Sequence, residues 1–180
     1  NVMMFEMLQH LVPREDEDVS IELERQFGQQ GIEFATSADV SGVEKRDGRL
    51  AVQYEVSGKK QEFICDKVLL GVGVQPNTDQ IGLENVGINT NEAGYIEVDG
   101  NMRTNVSGVY AVGDVNGKLQ LAHVAFDQGV VAAETIAGHE TTPIDNYTNM
   151  PRCTYCQPQI ASIGLTEAQA KEQGINVKIG

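Results

Sequence analysis

The chain opens on an apolar run, Val2 to Phe5, that closes on a carboxylate, Glu6. In the following segment, PREDEDVSIELERQFGQQG, Val19, Leu23 and Phe27 recur at four-residue spacing, acids at 15–18 crowd the first turn, and Gly28 and Gly31 supply a stop. That pattern predicts a helix with one apolar stripe. The acids suit the positive end of such a helix, which accounts for them without an interaction patch. IEFAT, DVSGVEK, RLAVQYEV and QEFICD are short β-patterned runs. The turns RDG and SGKK separate the last three and predict an antiparallel meander. KVLLGVGVQP is apolar without alternation, the signature of a strand buried on both faces of a parallel sheet.

From Pro76 the texture changes to an Asn- and Gly-rich stretch that predicts loop with short strands. Val109 to Val112 then predict another short buried strand, delivering Gly113 and Asp114 at its carboxyl end. LAHVAFDQGVVAAETIAGHE predicts a helix with Val124, Gln128, Val131 and Thr135 on one stripe, while Ala132, Ala133 and Ala137 allow close packing. Near Tyr147 a new unit begins, reading strand, strand, helix through MPRCTYCQPQIASIGLTEAQAKEQG. The element order predicts an α/β class: Rossmann-like nucleotide-binding segments with an antiparallel meander as crossover, followed by the start of an α+β unit.

A net charge of −13 over 180 residues excludes non-specific binding to nucleic acid or an anionic membrane surface, because both need basic patches. No apolar run is long enough to span a bilayer. Cys65, Cys153 and Cys156 are too few for a disulfide framework, which fits a reducing compartment. The first and last residues, NVMMFEM and INVKIG, both read as strands without their flanking turns, so the expectation is a central piece of something longer.

Two acids stand where α/β sheets bind ligands, outside the carboxyl ends of strands. Glu6 suits the hydroxyls of an adenosine ribose and would repel a 2′-phosphate, which favours NAD over NADP; a surface glutamate at a strand end is the alternative. Asp114 follows a glycine that lets a ligand approach closely, and the helix starting near Ala122 turns its free amides toward the same edge. A carboxylate beside a positive helix end suits a ligand with polyol and electron-accepting parts. Flavin or another nucleotide and a buried structural aspartate both satisfy that description.

TNVSGVYAVGDVNGKLQLAHVAFDQG resembles the second FAD motif of the pyridine nucleotide-disulfide oxidoreductases. VPREDEDVSIELERQFGQQGI, GVGVQPNTDQIGLENVGI and IASIGLTEAQAKEQG are similar to the dihydrolipoamide dehydrogenase branch of that family, in register along essentially the whole chain. The resemblance implies FAD and NAD as cofactors and oxidation of a protein-bound dihydrolipoyl group. It places Asp114 on the FAD ribityl chain after Gly113, and Gln120, Leu121, Ala122 and His123 along the isoalloxazine. Glu6 matches the NAD ribose acid, Val40 a residue beside the adenine, and Gly73 the glycine of the second NAD contact loop. It further implies an NAD-binding portion over 1–74, the second half of an FAD domain over 75–146 and the start of a dimerisation domain over 147–180.

The implied partners are a second copy and a lipoyl-domain protein of a 2-oxoacid dehydrogenase or glycine cleavage complex. The implied location is the cytoplasm, or the mitochondrial matrix in a eukaryote. The family's redox disulfide and glycine-rich loops would precede residue 1 and its His–Glu pair would follow residue 180, so no catalytic residue is matched in this segment. Val74 and Gln75 stand where many members carry Arg, and Gln159 where Glu is usual. The alternatives are another FAD-dependent disulfide reductase or transhydrogenase of the family, or a non-catalytic truncated product.

Cys153 and Cys156 have C-x-x-C spacing, but a zinc site needs two further ligands and a redox pair would open a helix, so packed thiols are expected and no metal. His123 is read as a helix-start contact rather than a base, His10 and His139 as solvated, and Met3, Met4 and Met7 as core.

Overall fold

The computed structural model describes all 180 residues, Asn1–Gly180. They divide into two compact units, one of residues 1–71 with 153–180 and one of residues 72–152.

In the first unit, β1 (Val2–Phe5) pairs in parallel with β2 (Ile32–Ala35), and α1 (Glu17–Gln29) connects them. The buried stripe of α1 is Ser20, Leu23 and Phe27, not Val19, Leu23 and Phe27. The helix turns Ser20 inward because its hydroxyl donates to the Val12 carbonyl at 3.0 Å, while Val19 stays 37% exposed. A polar residue with a partner is as cheap to bury there as an apolar one. Leu23 and Phe27 pack with Ile160, and Leu11, Val12, Ile32 and Cys156 close around them.

The meander is β3 (Ala38–Arg46), β4 (Arg49–Val56) and β5 (Lys59–Cys65), antiparallel throughout. Its turns are two residues long, Asp47-Gly48 and Ser57-Gly58. All four residues have positive φ, the geometry that matches strand twist in a tight hairpin. β6 (Arg152–Thr154), at the junction of the two units, and β7 (Ile160–Ser162) form a two-stranded sheet, with α4 (Glu167–Glu172) after them. Thr166 and Gln169 form a reciprocal capping box on α4. Asp16, at the N-cap of α1, makes no cap bond to its own helix and instead accepts the Glu167 N–H at 2.7 Å.

The second unit holds one short helix, α2 (Leu83–Val86), and one long one, α3 (Ala122–Ala137). Val124, Gln128, Val131 and Ala132 are the buried positions of α3, and Ile96, Met102 and Ala111 are buried in the same unit. No helix is long and apolar enough to cross a membrane.

Two predicted strands do not form. Residues 67–76 run without a pairing partner, and Leu69 and Val72 are 95% and 91% exposed. A strand buried on both faces needs a neighbour on each side, and the one parallel pair in the chain is β1 with β2. Val109 to Val112 have a single antiparallel bridge, Arg103 to Tyr110, for the same reason. The Asn- and Gly-rich stretch before them likewise carries only an isolated bridge, Thr90 to Ile96.

Candidate functional site

Asp114 is the second residue of a 3₁₀ turn, Gly113–Asn116, that follows the extended Val112. Gly113 has φ of +80°, and a Cβ there would lie 3.5 Å from the Cβ of Ala125, so the turn sits on the first turn of α3. α3 has Leu121 at its N-cap and no side-chain cap bond, which leaves the helix's first amides free to face a ligand. Asp114 is exposed, and its carboxylate carries no hydrogen bond from the protein. An unpartnered carboxylate next to an uncapped helix start fits a group bearing hydroxyls at one end and accumulating negative charge at the other.

The neighbouring residues are held in place rather than free. Gln120 Nε2 donates to the Tyr95 hydroxyl at 3.2 Å, and that hydroxyl donates to the Val74 carbonyl at 3.3 Å. Gly117 lies directly beneath the Tyr95 ring, so close that a Cβ would come within 2.5 Å of Cγ. His123 Nε2 lies 3.0 Å from the Pro151 carbonyl and must be the protonated nitrogen, because a carbonyl only accepts. That bond ties the imidazole to the backbone, which agrees with a contact role at the helix start. Leu121 is half-buried and Ala122 exposed.

Spacing alone did not show what anchors the turn. Gln128, fully buried on α3, accepts the Gly113 N–H at 2.6 Å and the Asn116 carboxamide at 2.9 Å, and donates to the Tyr147 hydroxyl at 3.0 Å. Its place on the apolar stripe was the available signal: a buried polar residue demands partners. Burial raises the Tyr147 hydroxyl above its ordinary value, against the opposing Gln128 bond.

The second group of residues lies at the end of β1. Backbone bonds extend the sheet pairing past Phe5: the Glu6 N–H donates to Ala35 at 3.0 Å, and its carbonyl accepts from Ala38 at 2.9 Å. The half-buried Glu6 carboxylate folds back so that Oε1 accepts the Leu8 N–H at 2.8 Å, which leaves the second oxygen without a hydrogen-bond partner in the chain. Val40 stands on β3 opposite Tyr54, whose ring lies 4.7 Å from that of Phe5. Glu6 and Val40 therefore share one neighbourhood of the first unit. Gly73 belongs to the second unit, with φ of +112° and no atom near a would-be Cβ.

Cys153 is exposed in β6, while Cys156 donates to the Pro158 carbonyl at 3.0 Å and packs on the Leu23 cluster. No group of three or more His, Cys, Asp or Glu side chains is placed to hold a metal ion. His10 is not solvated: Nδ1 bonds Glu24 Oε1 at 3.1 Å within the first unit. Met7 is 71% exposed and Met4 lies at the sheet surface, so the methionines are not a shared core.

The profile of the pyridine nucleotide-disulphide oxidoreductases matches residues 1–129. The chain belongs to that family. The family's dimerisation-domain profile matches residues 150–180. The chain is similar to the dihydrolipoyl dehydrogenase of Mycobacterium leprae, with 46% identity over 99% of this chain and 38% of the relative. It is 43% identical to that of Corynebacterium glutamicum, over 96% of this chain and 37% of the relative. Among solved structures it is similar to the HOCl-induced flavoprotein disulfide reductase RclA from Escherichia coli, with a TM-score of 0.88 and 28% identity. That match covers 99% of this chain and 40% of the other. The chain thus spans about two fifths of these oxidoreductases. The Rossmann-like α/β character of these segments agrees with that structural likeness.

Proposed function

We propose that this chain supplies the cofactor-holding segments of a dihydrolipoyl dehydrogenase that passes electrons from protein-bound dihydrolipoamide through FAD to NAD. The observation that carries this is the similarity to dihydrolipoyl dehydrogenases along 99% of the chain. Asp114 receives the hydroxyls of the FAD ribityl chain, and Gly113 lets that chain approach. Gln120, Leu121, Ala122 and His123 lie along the isoalloxazine, where the α3 amides favour negative charge. FAD, when bound, supplies the electron-pair carrier between dithiol and pyridine nucleotide. The free oxygen of Glu6 receives the NAD ribose hydroxyls, Val40 packs beside the adenine, and Gly73 gives the nicotinamide half close access.

The proposed assignment of segments is NAD-binding over 1–74, FAD-binding over 75–146 and dimerisation over 147–180; the dimerisation profile over 150–180 supports the last of these. The partners are a second copy, supported by the dimerisation profile, and a lipoyl-domain protein. The site of action is the cytoplasm. No residue of this segment is assigned thiol chemistry.

The test is oxidation of dihydrolipoamide with NAD or NADP by the flavin-containing protein of the relatives' length. The expected result is activity with NAD and an absorption band near ~450 nm that Asp114→Ala removes. A protein that keeps its flavin but reduces only other disulfides would place it with the RclA-like reductases, to which the structural similarity points. Absence of flavin altogether would make the chain a non-catalytic product.

A further inference from the structure

We propose that Gln128 is the positioning residue of the flavin site: its carboxamide holds the Gly113–Asn116 turn on α3 and thereby sets where Asp114 points. The inference rests on the flavin reading of Asp114. One oxygen, Gln128 Oε1, grips the turn on both sides of Asp114, through the Gly113 N–H at 2.6 Å and the Asn116 Nδ2 at 2.9 Å. Asn116, 4% exposed, adds a bond to the Ala111 carbonyl at 3.2 Å and accepts the Lys118 N–H at 3.1 Å, which continues the clamp into the next loop. The Gly113 N–H can only donate and so selects the oxygen end of the Gln128 carboxamide, while the amide end donates to the Tyr147 hydroxyl at 3.0 Å.

Asp114 has no side-chain partner of its own, so the backbone of this turn is what sets the direction in which its side chain leaves the chain. The turn begins on a glycine at φ +80°, a conformation that glycine adopts without steric cost but that its wide backbone freedom does not fix by itself. A polar side chain at 0% exposure in a helix is otherwise a destabilising choice, and here its oxygen is partnered by the turn and its nitrogen by the Tyr147 hydroxyl.

The experiment compares Gln128→Leu, Gln128→Glu and Asp114→Ala with the parent, all in the protein of the relatives' length, in two readouts. One is hydrogen exchange of the Gly113–Gly117 amides without flavin, and the other is FAD affinity from flavin fluorescence. Gln128→Leu fills the space but leaves buried donors unsatisfied. It is expected to speed exchange and weaken FAD by about tenfold or more each, with the Val131–Thr135 amides unchanged. Gln128→Glu keeps both acceptor bonds and takes a third from the rotatable Tyr147 hydroxyl, so it is expected to restore both readouts to within about threefold of the parent. Asp114→Ala is expected to weaken FAD without changing exchange in the turn.

If Asp114→Ala releases flavin while Gln128→Leu changes neither readout, the positioning role is overturned and the flavin reading stands. If Gln128→Glu fails to rescue, or α3 loses protection along its length in Gln128→Leu, Gln128 is only structural and the proposal is overturned. If the parent binds no FAD, or Asp114→Ala leaves affinity unchanged, the flavin reading falls and the proposal with it.

Discussion

Replacing Gly117 by alanine places two separate costs on the loop that leads into α3. The backbone has φ of +66°, in the left-handed region, where a Cβ costs about 1–2 kcal/mol. The added Cβ would also stand 2.5 Å from Tyr95 Cγ and 2.8 Å from both Cδ atoms. Cγ is the root of the ring and cannot swing aside by a terminal rotation. The ring is held further by the bonds of its hydroxyl to Gln120 and Val74. Overpacking of this kind costs about 1–3 kcal/mol. The two together amount to roughly 2–5 kcal/mol.

Gly138 is the matched control. It ends α3 at φ +75° with nothing near a would-be Cβ, so Gly138→Ala carries the backbone cost alone. The assay is native-state hydrogen exchange of the buried α3 amides, which reports the opening free energy of the second unit. Gly117→Ala is expected to lower it by about 1–3 kcal/mol more than Gly138→Ala does. Equal effects within about 0.5 kcal/mol would refute the claim that the Tyr95 ring is fixed over Gly117.

Two further outcomes test the first unit. Leu23 is 3% exposed between Phe27 and Ile160, so Leu23→Ala is expected to destabilise that unit by about 2–5 kcal/mol in urea unfolding; a loss under about 1 kcal/mol would mean the site is not a packed core. The Arg25 guanidinium hydrogen bond, with a smaller one from Gln26, holds the Glu22 carboxyl at about 2, below its ordinary 4.5. A depressed carboxyl contributes stability that is present above the ordinary value and lost as pH falls through the folded one. The α1 signal is therefore expected to weaken between pH 4.5 and about 2, and Arg25→Gln to return the Glu22 titration toward 4.5 by NMR.

Local signals made much of the architecture legible. The Asp47-Gly48 and Ser57-Gly58 turns announce the meander because two successive positive-φ residues admit few sequences and few geometries. α1 and α3 follow from periodicity, and a helix was expected where α4 forms, with the Thr166–Gln169 capping box seen in the structure. Asp114 and Glu6 were visible as acids closing apolar runs.

Other features depended on residues far apart in the chain. Apolar composition over 67–76 and 109–112 is permissive for strands, but a strand exists only when its backbone groups find neighbours, and composition does not report neighbours. Ser20 displaced Val19 from the buried face of α1 because Val12 offered its hydroxyl an acceptor. Asp16, one of the acids expected only to complement the start of its own helix, accepts the first amide of α4.

By itself, then, the sequence determined the elements whose hydrogen bonds close within a few residues, and the types of residue that wait at their ends. The tertiary structure alone decided which way those residues face. The turn that carries Asp114 is held by Gln128, fourteen residues on, and Gln128 meets Tyr147 nineteen residues beyond that. The physical reason is that a buried carboxamide takes whichever partners the packing brings to it, and packing is a property of the folded chain.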